Sequence, residues 1–189
     1  MDDLWLVVGL GNPGERYART RHNAGARALA RLAAELGVRL RAWKGPALVG
    51  EGRHGGQRLV LAVPATYMNE SGGAVKSLAT FYKVDPGRIV AIHDELDIPF
   101  GTMRSKLGGG DNGHNGLRSM RSSLGTGDFY RLRVGIGRPP GRQDPADFVL
   151  SNYSSVERKE LPFQVDTAAD AVETLVTEGL ERAQQKFNS

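Results

Sequence analysis

Apolar runs mark the predicted strands of this chain. Residues 4–10 (LWLVVGL) and 88–93 (RIVAIH) are short and almost wholly apolar, which is typical of strands buried in a parallel sheet. Residues 47–54 and 57–64 form two further runs that are separated by a Gly-Gly pair. This arrangement predicts a β-hairpin.

Other segments carry helical or alternating patterns. Apolar residues at helical spacing predict helices over 24–36 and 71–83, and the segment 117–125 (LRSMRSSLG) is helix-like. Residues 130–137 (YRLRVGIG) alternate as a strand does. The C-terminal part is mostly helical in pattern, and we expect Pro162 to interrupt it.

Strands that alternate with helices predict an α/β fold. We expect a single three-layer α/β/α domain over residues 1–189, around a mixed, largely parallel twisted sheet. The chain contains no cysteine, which excludes disulfides and thiolate chemistry and fits a reducing cytoplasm. It has no basic signal-peptide start and no apolar run long enough to span a bilayer. We therefore expect a cytoplasmic protein with no membrane partner.

Positive charge is concentrated in the middle of the chain. Residues 101–142 hold 8 basic and 2 acidic residues, a net charge of +6, whereas the whole chain carries +4. Such a segment indicates a polyanionic partner, with a merely solvated surface as the alternative. Arg131 and Arg133 occupy alternate positions of a predicted strand, so we expect both to project from one face.

Gly9, Gly11 and Gly14 form a G-x-G-x-x-G pattern after the first predicted strand. In a dinucleotide-binding turn, such glycines lead at once into a helix, and an acidic residue closes the next strand. Here Pro13 removes a backbone N–H, a polar stretch (ERYARTRH) delays the helix, and Glu35 falls inside that helix. These features argue against a nicotinamide-dependent dehydrogenase. A long loop at a strand end nevertheless predicts a ligand site.

Two candidate catalytic residues follow predicted strands. His22 lies in the loop after the first strand, and a neutral imidazole is a suitable general base near pH 7. Its alternative role is to cap the next helix. Asp94, in the sequence HDELD, can hold a histidine in one tautomer. The alternatives for this sequence are a magnesium site of Asp94, Glu95 and Asp97, or a solvated acidic turn.

Asparagines recur at the predicted strand ends. Asn12 follows the first strand, Asn69 follows the hairpin, and Asn115 lies with His114 in a glycine-rich loop. Asn69 alone is also a suitable helix cap, and Tyr67 is also a suitable core residue. The alternative for the segment with Asn115 is a flexible loop with a capped helix start. Several amides around one base suit a substrate with amide groups and can hydrogen-bond a developing oxyanion. The chain has no G-x-S-x-G or H-E-x-x-H motif, which argues against a serine or zinc hydrolase.

Five sequence blocks within residues 9–137 carry most of these candidates. In chain order they are GNPGERYARTRHNAG, PATYMNESG, HDELD, GGDNGHNGL and FYRLRVGIG. In this order and spacing, they resemble the bacterial-type peptidyl-tRNA hydrolases. The resemblance implies a monomeric enzyme that hydrolyses the ester between a peptide and the 3′ end of tRNA, which recycles tRNA from prematurely released peptidyl-tRNA. It also implies attack by histidine-activated water, with no metal and no cofactor. An RNA-binding protein without activity is the second hypothesis.

The same resemblance implies roles for individual residues. His22 is the general base, and Asp94 holds it in its basic form. Asn12 distinguishes blocked peptidyl ends from free aminoacyl ends, and Lys106 and Arg133 contact tRNA phosphates. The residues implied to line the site for the peptide and the terminal nucleotide are Tyr17, Tyr67, Asn69 and Asn115.

Overall fold

The computed structural model describes residues 4–188, so residues 1–3 and 189, the two ends of the predicted domain, lie outside the described residues. The strands are β1 (Leu4–Gly9), β2 (Arg41–Ala42), β3 (Ala47–His54), β4 (Gln57–Pro64), β5 (Ile89–Glu95), β6 (Met103–Leu107) and β7 (Tyr130–Gly135). The helices are α1 (Ala24–Glu35), α2 (Ser71–Tyr82), α3 (Asn115–Leu124), α4 (Pro145–Val149), α5 (Ser155–Glu178) and α6 (Leu180–Phe187).

The seven strands form one mixed sheet in the order β2-β3-β4-β1-β5-β7-β6. The central strands β4, β1, β5 and β7 are parallel neighbours, whereas β2, β3 and β6 join antiparallel at the two edges. Apolar side chains from one sheet face pack against α1 and α5, and those from the other face pack against α2 and α3. The prediction of an α/β/α fold around a mixed sheet is confirmed.

Most predicted elements are present with slightly shifted ends. The strands β3 and β4 form the predicted hairpin, and α2 ends one residue early because Lys83 adopts a left-handed backbone, with φ of 57°. The predicted break at Pro162 is wrong, since α5 continues through it. Pro162 and Arg158, four residues earlier, are exposed, so water can replace the missing N–H partner. The helical segment breaks instead at Gly179, with φ of 94°.

The edge strand β6 has no counterpart in the sequence prediction. Its sequence, MRSKL, mixes polar and apolar residues, and it pairs only with β7, so its polar side chains do not have to be buried in the sheet centre. Within residues 4–188, no helix combines the length and the apolar character needed to cross a bilayer.

Close contact between α1 and β5 positions the site. A Cβ on Gly25 would lie 2.0 Å from the backbone oxygen of Ile92, and a Cβ on Gly9 would lie 2.4 Å from Cβ of Leu29. These glycines therefore let the first turn of α1 rest directly on the strand backbone. As a result His22, just before α1, comes beside Asp94, just after Ile92. Of the N-terminal glycine pattern, Gly9 and Gly11 thus lie in close contact with α1, whereas a Cβ on Gly14 would meet nothing within 4 Å.

Candidate active site

Asp94 lies between two histidines at the carboxyl end of β5. Nδ1 of His22 is 2.8 Å from Oδ2 of Asp94, and Nε2 of His114 is 2.8 Å from Oδ1. All three side chains are buried, and the two imidazole rings are 5.0 Å apart between centroids. The structure therefore brings together three residues that the sequence places in three separate loops.

The hydrogen bonds of His114 assign its proton. His114 is the N-cap of α3, and its Nδ1 accepts from the backbone N–H groups of Gly116 and Leu117 at 3.1 and 3.3 Å. A ring nitrogen that accepts hydrogen bonds carries no proton, so the proton of His114 lies on Nε2 and is donated to Asp94. His114 is thereby held as a neutral donor.

The other carboxylate oxygen of Asp94, Oδ2, defines which ring nitrogen of His22 carries the proton. It accepts from the Nδ1–H group of His22, so Nε2 of that ring keeps its lone pair. The 3-10 turn at Arg21–Asn23 shows no side-chain cap, and α1 shows none either, so His22 does not have the capping role considered from the sequence. The arrangement is that of a base oriented by a buried carboxylate.

Electrostatics favour a proton on His22 and a charge on Asp94. Burial alone would lower the pKa of His22, but the charge of Asp94 and the hydrogen bond to it raise that pKa above 6.5. Burial would raise the pKa of Asp94, but the contacts with His22 and His114 hold it well below its usual range. The site is therefore prepared to accept a proton at His22 next to a permanent negative charge.

Asn12 is held rigidly beside the histidines. Its Oδ1 accepts from the backbone N–H of Met68 at 2.6 Å. The side chain of Asn23 clamps the backbone of Asn12 by accepting from its N–H and donating to its carbonyl, both at 2.9 Å. Because Oδ1 is already engaged, Nδ2 of Asn12 remains as a donor for a bound molecule.

The histidines open onto a cleft of about 510 Å³. Four of the five predicted substrate-binding residues line it: Asn12, Tyr67, Asn69 and Asn115. Tyr17 is not part of the lining, but its ring packs edge-on against Tyr67 with 6.2 Å between centroids. A larger groove of about 670 Å³ lies between α1 and α5 and contains none of the predicted site residues. The predicted site residues therefore meet at the smaller cleft.

The three carboxylates of the HDELD segment do not converge. Asp94 contacts the histidines, Glu95 accepts from Nδ2 of Asn112 at 2.9 Å, and Asp97 pairs with Arg138. The magnesium alternative built on these three residues is therefore wrong. Within residues 4–188, the buried group whose ligand atoms are close enough to share a metal ion is the set His22, Asp94 and His114. Its 2.8 Å nitrogen–oxygen separations are those of direct hydrogen bonds.

Comparison with known proteins decides the family. The sequence model of the family described as Peptidyl-tRNA hydrolase matches residues 6–189. This chain belongs to the peptidyl-tRNA hydrolase family. A peptidyl-tRNA hydrolase from Frankia alni is 56% identical over 188 residues, which cover 100% of this chain and 95% of the relative. One from Streptomyces coelicolor is 59% identical over 191 residues, with 98% and 95% covered.

Solved structures agree with this membership. The crystal structure of peptidyl-tRNA hydrolase from Acinetobacter baumannii is similar to this chain with a TM-score of 0.92 and 39% identity. The match covers 100% of this chain and 96% of that one. The resemblance inferred from the five sequence blocks is confirmed, and membership of the peptidyl-tRNA hydrolases establishes the activity as hydrolysis of the ester in peptidyl-tRNA.

The basic residues expected to contact tRNA lie at the β6–β7 edge of this peptidyl-tRNA hydrolase fold. Lys106 pairs in register with Arg131, and Arg133 is two residues further along β7, so all three side chains leave one face of the sheet. The pKa of Lys106 is lowered, first by burial and then by the charges of Arg133 and Arg131, which shows how close these groups are.

Arg131 is buried, unlike its neighbour Arg133 on the same face of β7. Its side chain is 1% exposed, and its guanidinium donates to the backbone oxygens of Gly109, Gly127 and Phe129. The prediction that Arg131 and Arg133 project from one face is confirmed, but Arg131 is buried there instead of reaching the surface. Arg131 thereby joins Gly109 of the glycine-rich loop to the segment just before β7, because its guanidinium donates to carbonyls of both.

The sequence did not predict two parts of the peptidyl-tRNA hydrolase cleft. His114 was noted only as a neighbour of Asn115, yet it supplies the second hydrogen bond to Asp94. The signal was a histidine three residues before the predicted helical segment 117–125, close to where a side-chain acceptor is expected. The other part is the cleft wall from α4 and the residue after it, where Val149 and Leu150 line the cleft. Its short apolar stretch has no diagnostic sequence.

Proposed function

We propose that the cleft hydrolyses peptidyl-tRNA by attack of water that His22 activates. Nε2 of His22 accepts a proton from the water as its oxygen attacks the ester carbonyl carbon. The tetrahedral intermediate then collapses, the bond from the carbonyl carbon to the ribose oxygen breaks, and that oxygen takes the proton from His22. The products are a peptide with a free carboxyl group and tRNA with a free hydroxyl group.

The observation that carries this proposal is the proton assignment around Asp94. His114 can only donate, because its Nδ1 caps α3, so the carboxylate is left to orient His22 with Nε2 as the base. When His22 becomes an imidazolium, the negative charge of Asp94 stabilises it at 2.8 Å. Of the two imidazoles, His22 is therefore the base.

Amide groups supply the polar contacts to the substrate. We assign Nδ2 of Asn12 to a carbonyl oxygen of the peptidyl group, because the opposite end of that amide is engaged by Met68. Asn69 and Asn115 are exposed in the cleft and can hydrogen-bond peptide or ribose groups. Tyr67 is 55% exposed, and with Tyr17 beside it offers an aromatic surface on which the terminal base can stack.

The RNA body of the substrate is assigned to the β6–β7 edge. Lys106 and Arg133 lie close together on one face there, and clustered cations bind phosphates by releasing counterions. We further propose that the chain works as a monomer and as one domain over residues 1–189, in the cytoplasm. Its role there is to recycle tRNA from peptidyl-tRNA that is released prematurely.

The test is hydrolysis of N-acetyl-aminoacyl-tRNA by the purified protein, with and without EDTA, beside unblocked aminoacyl-tRNA. We expect cleavage of the blocked substrate in both buffers and little cleavage of the unblocked one. His22→Asn should lower kcat by about 10²–10⁴-fold, which is the usual contribution of a general base. Binding of tRNA without hydrolysis would instead support the RNA-binding alternative, and loss of activity in EDTA would contradict the metal-free mechanism.

A further inference from the structure

We propose that Arg21 is a positioning residue that holds one wall of the cleft against the turn that carries His22. This inference rests on the proposed role of that cleft in peptidyl-tRNA hydrolysis. The wall is the segment Pro145–Leu150, which comprises α4 and the residue after it and which faces the cleft through Pro145, Ala146, Val149 and Leu150.

The side chain of Arg21 binds the chain around this wall at several points. It is 7% exposed, and its Nη1 donates to Oγ of Ser151 at 2.6 Å and to the backbone oxygen of Asn152 at 2.7 Å. Its Nη2 donates to Oε1 of Glu157 at 2.7 Å. The guanidinium also lies over the ring of Phe148, 4.1 Å from the centroid. Every one of these partners lies within residues 148–157.

Backbone contacts join the same two segments. The N–H of Arg21 donates to the backbone oxygen of Ser151 at 3.0 Å, and Thr20 forms an antiparallel bridge with Asn152. The residue that follows Arg21 is His22. The wall and the catalytic base are thus tied together through adjacent residues of one short turn.

The other support of the wall is a small apolar cluster around Phe148. The helix α4 has five residues, and a helix of that length is not stable without tertiary contacts. Phe148 is its buried residue, in a small cluster with Ile136 and Tyr153. Arg21 covers the Phe148 ring and satisfies Ser151 and Asn152 just after the helix. Its planar fork makes these contacts together, which the single ammonium of lysine cannot do.

The role of Arg21 is mechanical rather than electrostatic. Its charge is paired with Glu157, whose Oε1 also accepts from the backbone N–H of Ser154 in the capping box of α5. The pKa of His22 is set by burial and by Asp94. Loosening Arg21 should therefore change the fit of the substrate and leave the titration of the base unchanged.

The test compares Arg21→Lys and Glu157→Gln with Arg158→Lys as the matched control. Arg158 donates to the backbone oxygen of Tyr153 in the same segment, and this hydrogen bond does not involve the His22 turn. Steady-state hydrolysis of N-acetyl-aminoacyl-tRNA is measured across pH, and thermal unfolding is followed for each variant. We expect KM to rise on the order of tenfold in Arg21→Lys and less in Glu157→Gln, because a charge-assisted network is lost in whole or in part. The value of kcat and the pH profile of kcat should stay as in the wild type.

Three results would overturn the inference. One is an unchanged KM in both folded variants, which would limit Arg21 to a role in stability. Another is a shifted pH profile of kcat, which would give Arg21 an electrostatic role at His22. The third is an equal rise of KM in Arg158→Lys. Failure of the wild type itself to hydrolyse the substrate would instead contradict the proposed function, so the two failures are distinguishable.

Discussion

Replacing Asp94 by asparagine tests the proton assignment on which the mechanism depends. An asparagine has nearly the same shape but presents one oxygen acceptor and one NH₂ donor in place of two acceptors. His114 must donate from Nε2, because its Nδ1 accepts from two backbone N–H groups of α3. The introduced amide therefore has to turn its oxygen towards His114 and its NH₂ group towards His22.

This orientation of the amide holds the His22 ring in a tautomer that cannot act as a base. Nδ1 of His22 then accepts from the amide, so the ring proton moves to Nε2, which can no longer take a proton from water. The charge that raises the pKa of His22 is lost as well, and burial now lowers that pKa. We expect kcat to fall by about 10²–10⁴-fold, the contribution of a general base, while KM changes by less than about threefold because the lining of the cleft remains.

The assay is single-turnover hydrolysis of N-acetyl-aminoacyl-tRNA at saturating enzyme, together with nitrogen NMR of the His22 ring. A matched double variant, Asp94→Asn with His114→Ser, sharpens the test. Serine still caps a helix but is too short to hold the amide at position 94, so that amide is free to turn its oxygen to His22. The double variant should be more active than Asp94→Asn alone. A rate within about tenfold of the wild type for Asp94→Asn, or losses that simply multiply in the double variant, would refute the assignment.

Three further predictions concern selection, tRNA binding and acid stability. Asn12→Asp keeps the acceptor for Met68 but replaces the free donor by a carboxylate oxygen. The value of kcat/KM for the blocked substrate, divided by that for the unblocked one, should therefore fall. An unchanged ratio would show that Asn12 does not discriminate between the two substrates. Lys106→Ala and Arg133→Ala should raise KM for the full tRNA substrate. Each should also reduce the slope of the logarithm of the tRNA binding constant against the logarithm of salt concentration by somewhat under one. Cleavage of a minimal ester that lacks the tRNA body should stay unchanged. Burial and the nearby His114 lower the pKa of His93 to about 3. Below about pH 6.5, His93 therefore binds a proton in the unfolded chain but stays neutral in the folded chain. The free energy of unfolding should therefore fall as the pH drops from 6.5 towards 3, by up to about 5 kcal/mol. Thermal unfolding of His93→Asn should depend less on pH, with His54→Asn, at a half-buried histidine, as the control.

The local pattern of apolar and polar residues was sufficient to predict most of the strands and helices of this protein. Periods of apolar residues predicted β1, β5, the β3–β4 hairpin, and α1 and α2, because burial of one face or of a whole strand leaves a regular signature in the sequence. The five blocks predicted the family, and with it His22 and Asp94. The edge strand β6 was missed, since an edge strand with polar residues lacks that signature.

Tertiary structure decided how the candidate residues meet. Nothing local to His22 shows that Gly25 lets α1 rest on the backbone of β5, and this contact is what brings His22 to Asp94. Likewise, Arg131 and Arg133 follow the same alternation along β7, yet Arg131 is buried and donates to the carbonyl of Gly109, 22 residues earlier, and to that of Gly127. The sequence by itself determined the family and predicted which side chains belong to the candidate site and at which strand ends they lie. Their protonation, their exposure and their partners depend on contacts between segments far apart in the chain, and only the folded structure specifies those contacts.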